Sequence, residues 1–263
     1  MKKSLVFAVL VVSLLFLVKP VGAKNDRSIG IPQNAKEVGP GVFSLGEALD
    51  IDGRPVQGFM IVKRENARGG AAVNGGPKGN QCYSYLASGA KWKTSENYMV
   101  DPSNVDGVGA GDVISIIASG IGKWETGANA EIMGNKVDWT GNGADTTSPD
   151  NKNEVLFGDI TDPGVIAVTT VWGVFGGSPS SRYLAEWDQV YDDVSFDWSV
   201  APGGEPNKMD VENIAVHEIG HALGMGHPSD TCSNETMYRY ASNGETKKRD
   251  LNPGDILGID KLY

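Results

Sequence analysis

The chain has 263 residues, with 33 Asp and Glu against 23 Lys and Arg and a formal net charge of −10 at pH 7. So acidic a chain argues against a nucleic-acid partner, because phosphate binding is driven by Lys and Arg. The length suits one core with an N-terminal extension.

The first residues, MKKSLVFAVLVVSLLFLVKPVGA, join two lysines, an apolar run from Leu5 to Val18 and the small-residue end Val21-Gly22-Ala23. This is the pattern of a secretory signal peptide over residues 1–23. The apolar run is shorter than the roughly 20 residues of a membrane-spanning helix, so no membrane association is expected after cleavage. Cleavage removes Lys2, Lys3 and Lys19 and no acid, leaving a still more acidic chain that is expected to be secreted.

Residues 24–80 read as an N-terminal extension. A polar, turn-rich lead runs to about residue 40 and is expected to be flexible. Strand-like runs at Val42–Leu49 and Val56–Lys63 flank Asp52-Gly53 and predict a β-hairpin. The glycine-rich RGGAAVNGGPKGN at 68–80 predicts a linker, and so the start of the main domain near residue 81.

In residues 81–263, KWKTSENYMV predicts a strand ending at Asp101-Pro102. Asp112 to Ala128 places Val113, Ile116, Ile117, Ile121 and Trp124 at helical spacing, which predicts an amphipathic helix packed on a sheet. Residues 134–152, rich in Gly, Asn, Asp and Thr, predict an exposed loop. EVLFGDI, GVIAVTTVWG and EWDQVYDDVSFDWS are three strand candidates rich in β-branched and aromatic residues. Strands, one helix, more strands and a terminal helix pair point to an α+β or three-layer α/β domain.

The two cysteines, Cys82 and Cys232, form an even set in an exported chain and favour a disulfide. Closing a loop of about 150 residues stabilises by roughly 4–5 kcal/mol in the chain-entropy model. The alternative is a free thiol at Cys82 acting as a latent metal ligand.

All three histidines fall within HEIGHALGMGH, residues 217–227. Asp210 can cap a helix whose apolar positions Val211, Ile214, Ala215 and Leu223 follow a helical period. His217 and His221 then share one face one turn apart, close enough to hold one ion. Glu218 is offset from His217 by about 100° and stands beside the ion rather than on it. Gly224 can adopt the left-handed conformation that ends a helix and lets His227 return as a third ligand. Three neutral imidazoles and an open position are what one catalytic zinc needs to acidify a water, with Glu218 as general base for peptide-bond hydrolysis. A structural zinc is disfavoured, because such sites usually take four protein ligands and no glutamate base.

HEIGHALGMGH followed by Thr236-Met237-Tyr238 resembles the metzincin metalloproteases, in which a methionine-containing turn lies beneath the zinc. The ending LNPGDILGIDKLY is similar to the C-terminal helix of matrixins, and KWKT with YMVDPSN to the first strand of archaeal and bacterial matrixin-like secreted proteases. The resemblance covers about residues 82–263. It implies a metzincin-type catalytic domain of α/β (α+β) class: a twisted, mostly parallel sheet of about five strands, packed with helices, an active-site helix and a Met-turn. It implies His217, His221 and His227 as zinc ligands, Glu218 as the base, Met237 as the Met-turn residue, and Asp255 as the acid tying the last helix to that turn. GVIAVTTVWG resembles the edge strand along which a substrate lies extended; a strand buried on both faces would fit its apolar run as well.

Departures from the family pattern carry their own expectations. Val168 stands where a histidine of a second, structural zinc is expected, so one catalytic zinc is implied. Cys82 lies in NQCYSYL, outside the inhibitory Pro-Arg-Cys-Gly pattern, and leaves residues 24–80 as either a pro-segment or a permanent hairpin. Pro228 after His227 matches serralysin-type metzincins better than matrixins. Calcium is a further candidate ion, with oxygens from acidic pairs such as Asp192-Asp193 or from DTTSPDNKNE. The expected partner is a protein or peptide substrate and the expected state a monomer. The alternative is an exported zinc-containing binding or cell-wall-associated protein without turnover.

Overall fold

A computed structural model describes residues 27–66 and 81–263. The predicted signal peptide and the glycine-rich stretch lie outside those residues. The N-terminal part supplies β1 (Ser28–Ile29), β2 (Lys36–Gly39), β3 (Val42–Leu49) and β4 (Pro55–Glu65). There follow β5 (Ser84–Tyr85), β6 (Glu96–Val100), α1 (Ala110–Ala128), β7 (Met133–Val137), β8 (Glu154–Ile160), β9 (Val165–Val174) and β10 (Tyr183–Asp192). The order ends with β11 (Trp198–Ser199), β12 (Met209–Asp210), α2 (Val211–Ala222), β13 (Met225–Gly226), β14 (Tyr240–Ala241) and α3 (Pro253–Leu262).

The main sheet runs β2-β3-β4-β9-β10-β8-β6-β7, with β1 beside β8 and β14 beside β4. From β10 through β8 and β6 to β7 the pairing is parallel, and β9 is antiparallel to β10. These five strands match the mostly parallel sheet expected of the main domain, and the class is mixed α/β. The extension adds three antiparallel strands to the same sheet.

Two apolar clusters lie on the sheet's opposite faces. The larger packs α1, α2 and α3 against Ile61, Phe157, Ala167, Val171 and Trp187; the smaller gathers Met60, Val62, Leu156, Val168 and Val190. α1 forms where its sequence repeats apolar residues every three or four positions, and it buries Val113, Ile117, Ile121 and Trp124.

Several boundaries differ from expectation, each for a visible reason. The strand in KWKTSENYMV is confined to β6. The loop expected at 134–152 opens with β7, whose polar MGNKV is recruited by pairing with β6. EWDQVYDDVSFDWS divides because Asp192 Oδ1 accepts the N–H groups of Val194 and Ser195, both at 3.0 Å, and turns the chain after β10. The lead is ordered from residue 27: Arg27 pairs with Asp101, and the Ile31 N–H donates to Asp162 at 2.7 Å.

The largest correction concerns β9. It is the outer strand of the main domain, but its free side is taken by β4, from Gln57 opposite Gly173 to Arg64 opposite Val165. Nine of its ten residues are buried, so the apolar run reflects a strand covered on both faces and paired on both edges.

Candidate active site

α2 begins at Asp210, whose Oδ1 accepts the N–H of Asn213 at 2.8 Å and which is itself held by Arg249. α1 fixes the helix from behind: Trp124 Nε1 donates to the Val216 carbonyl at 2.7 Å. His217 and His221, one turn apart on the buried face, bring their Nε2 atoms to 3.1 Å. The chain then reverses at Gly224, where φ is +97° and a Cβ would come within 2.6 Å of the Ala90 carbonyl oxygen. β13 pairs with β5 and delivers His227, whose Nε2 stands 3.1 Å from that of His221. A disulfide between Cys82 and Cys232, with Cα atoms 5.4 Å apart, closes the loop that frames this corner.

Each Nδ1 faces a backbone carbonyl: Thr236 at 2.6 Å from His217, Met225 at 2.9 Å from His221 and Pro40 at 3.3 Å from His227. An Nδ1–H donating to each carbonyl leaves the Nε2 lone pair free, which is the tautomer a metal needs. Burial is the largest cause that holds all three imidazoles below their ordinary pKa, pushing His221 to about 3, so all three are neutral. Three converging lone pairs repel one another unless a cation lies between them. Zn–N bonds of 2.0–2.1 Å in a tetrahedron put nitrogens about 3.3 Å apart, close to the spacing here. The donor set therefore fits a divalent zinc.

Glu218 is wholly buried beside the triad, with Oε1 3.9 Å from His217 Nε2. Its Oε2 accepts a hydrogen bond from Thr169 Oγ1 on β9 at 2.6 Å, while Oε1 has no partner. Burial raises its pKa to about 7 against the opposing effects of Thr169 and Lys63. One oxygen is thus anchored and the other left free.

Met237 lies under α2, fully buried. Gly220 makes room for it: a Cβ there would strike Met237 Sδ and come 2.6 Å from the Trp124 ring. The turn is pinned by Asp255, whose Oδ2 accepts the N–H of Thr236 at 2.7 Å and whose Oδ1 accepts that of Met237 at 3.2 Å. Asp255 also accepts the Asn252 N–H at 3.0 Å at the start of α3. The carbonyl of Thr236 in turn orients His217, so α3, the turn and the first histidine form one chain of contacts.

Three contributors have no signal in the sequence. Thr169 comes from β9, Pro40 from the turn before β3, and Lys63 from β4. Lys63 is fully buried, its Nζ donating to the Tyr238 carbonyl and lying 3.1 Å from His217 Nδ1.

A second cluster lies apart from the histidines. Asp145 from the long loop and Glu186 and Asp188 from β10 bring carboxylate oxygens within 4.8 Å of one another. Asp188 Oδ2 accepts the Asp145 N–H at 2.9 Å, and Glu186 Oε1 is buried without a partner. Burial, then neighbouring carboxylates, push Asp145 to about 6 and Glu186 to about 8. Of the acids singled out in the sequence, Asp145 belongs to this cluster and the pair Asp192-Asp193 does not. Asp192 caps the turn after β10, and Asp193 Oδ2 accepts the Val105 N–H at 3.0 Å.

A family model described as matrixin matches residues 91–263. Metalloendoproteinase 1-MMP of Arabidopsis thaliana is 35% identical over 91 residues, 33% of this chain and 24% of that protein. Matrilysin of Homo sapiens is 51% identical over 49 residues, 19% of this chain and 18% of that one. Metalloendoproteinase 1 of Glycine max is 50% identical over 54 residues, 20% of this chain and 17% of that one. The aligned stretches thus span less than a quarter of these relatives' own length. The family match, by contrast, takes in well over half of the chain, which belongs to the matrixin family.

Proposed function

We propose that the chain is a secreted zinc-dependent endopeptidase acting on proteins or peptides. The observation that carries this reading is the convergence of three neutral imidazoles, with His217 and His227 each bringing Nε2 to 3.1 Å from that of His221, beside a buried carboxylate with one free oxygen. His217, His221 and His227 would hold the zinc. When bound, zinc lowers the pKa of a water toward about 7 and polarises the carbonyl of the peptide bond.

The chain's own groups do the rest. Thr169 holds Glu218 Oε2 and so fixes the carboxylate plane, leaving Oε1 to accept the proton of the attacking water. Raised to about 7, the carboxylate is a stronger proton acceptor than a free one, and Oε1 then passes the proton to the departing amine, which is more basic still. The carbonyls of Thr236, Met225 and Pro40 keep the imidazoles in the donating tautomer. Met237 closes the floor beneath them.

Secretion is supported by the leader pattern at residues 1–23 and by the disulfide, a bond that persists in oxidising compartments. Asp145, Glu186 and Asp188 are the residues we assign to calcium, a hard ion served by carboxylate oxygens; the unpartnered Glu186 Oε1 supports the assignment. The test of the main reading is hydrolysis of a quenched peptide by wild type and Glu218→Gln at equal zinc content. Stoichiometric zinc with no hydrolysis of a broad peptide library would favour an exported zinc-binding protein without turnover instead.

A further inference from the structure

The carbonyl of Thr236, 2.6 Å from His217 Nδ1, belongs to the same planar peptide unit as the N–H of Met237. In a trans unit the two groups point in opposite directions. Asp255 Oδ1 accepts that N–H at 3.2 Å, and so grips the back of the plane whose front orients the ring. The preceding unit is held in the same way, with the Thr236 N–H on Asp255 Oδ2 at 2.7 Å. The aim of His217 therefore follows the placing of the Asp255 carboxylate.

That placing depends on a second acid. Glu235 comes from the turn itself and is 8% exposed. Its Oε2 accepts the N–H of Gly254 at 2.9 Å and that of Asp255 at 3.2 Å, at the start of α3. Pro253, the first residue of that helix, has no N–H, so Glu235 takes the next two amides in order. Both contacts are buried, where an unpaired N–H is costly. Turn and helix are thus joined by crossed carboxylates: Asp255 reaches from the helix to the turn, and Glu235 from the turn to the helix. The junction leaves no spare room, since a Cβ at Gly254 would come 2.8 Å from Glu235 Cδ and would strike the Cys82 carbonyl oxygen. The Glu235 N–H donates to the Cys232 carbonyl at 3.1 Å, which fastens the turn to the disulfide.

We infer that Glu235 is a positioning residue for the zinc site: acting through Asp255 and the Thr236 carbonyl, it holds His217 in the orientation that retains the ion. This rests on His217, His221 and His227 as the zinc ligands. It goes beyond the peptidase reading by giving a role to a group that touches neither ion nor substrate. Groups that orient metal ligands commonly change metal affinity by about 10–100-fold.

The test measures the zinc Kd of the full chain by competition with a chromogenic chelator, for wild type, Glu235→Ala, Glu235→Gln and Glu125→Ala. Glu125 is the matched control. Its Oε1 accepts the N–H groups of Ile132 and Met133 at 2.8 and 2.9 Å where α1 meets β7, so alanine there also takes one carboxylate from two backbone amides. Burial, then the Asp255 charge, raise the pKa of Glu235, so a neutral glutamine that still accepts is the conservative replacement. Urea midpoints taken alongside show that folded proteins are being compared. Glu235→Ala is expected to raise the zinc Kd about tenfold or more, Glu235→Gln to restore most of the affinity, and Glu125→Ala to leave it at the wild-type value. If Glu235→Ala does not fold, Glu235→Asp decides, since its carboxylate is one methylene short of the two amides. An unchanged Kd in the Glu235 variant, an equal rise in Glu125→Ala, or a glutamine no better than the variant it should rescue would overturn the inference. A wild type that binds zinc yet hydrolyses no peptide would defeat the peptidase reading alone, because the order of the zinc affinities would still decide the role of Glu235.

Discussion

At the scale of residues, the site divides labour between groups that would bind metal and groups that position them. Glu218→Gln keeps the shape and the Thr169 contact but removes the proton acceptor. It is expected to lower kcat/KM on a quenched peptide by about 10²–10⁴, the usual contribution of a general base, with zinc content unchanged by elemental analysis; near-wild-type turnover would remove Glu218 from the chemistry. Gly220→Ala forces a methyl group into Met237 and Trp124. Overpacking of this kind costs about 1–3 kcal/mol, to be read as a lower denaturation midpoint. The meeting of His217, His221 and His227 beside Glu218, and the bend at Gly224, were legible because they lie within one continuous stretch, where helical spacing fixes which side chains meet. Thr169 and Lys63 were not, since they reach Glu218 and His217 across 49 and 154 positions in sequence. Their partners are set by sheet register rather than by spacing along the chain.

At the scale of elements, the disulfide frames the site and the carboxylate cluster, apart from it, brings the long loop to β10. The disulfide fastens the segment before β5 to the loop beyond His227. Replacing both Cys82 and Cys232 by Ser is expected to cost about 2–5 kcal/mol; an unchanged urea midpoint would show that the bond adds nothing to the native state. The carboxylate cluster joins the long loop to β10. Removing calcium with EGTA is expected to lower the melting temperature of wild type, while Glu186→Gln with Asp188→Asn should abolish that response. A melting temperature indifferent to calcium in wild type would leave the cluster without its ion. α1, α2, β3 and β4 could be foreseen from period and turn residues. β7 could not, because Gly134, Asn135 and Lys136 carry no strand propensity and the pairing comes from β6. For β9, an apolar run has the same appearance whether the strand is an open edge or a covered one, and only the position of β4 separates the two.

At the scale of the whole molecule, the chain joins a five-stranded, mostly parallel sheet to an antiparallel N-terminal hairpin across the very strand that borders the histidines. The main sheet, the single histidine cluster and the acidic balance were readable from pattern and composition; the closure was not, because it depends on a long-range pairing. The measurement that bears most directly on the central claim is hydrolysis of a quenched peptide by the purified protein before chelation, after phenanthroline and after zinc is returned. Loss of activity on chelation, recovery with one equivalent of zinc, and no activity at any stage for Glu218→Gln is the expected result. Hydrolysis that persists after zinc removal, or that Glu218→Gln matches, would contradict it.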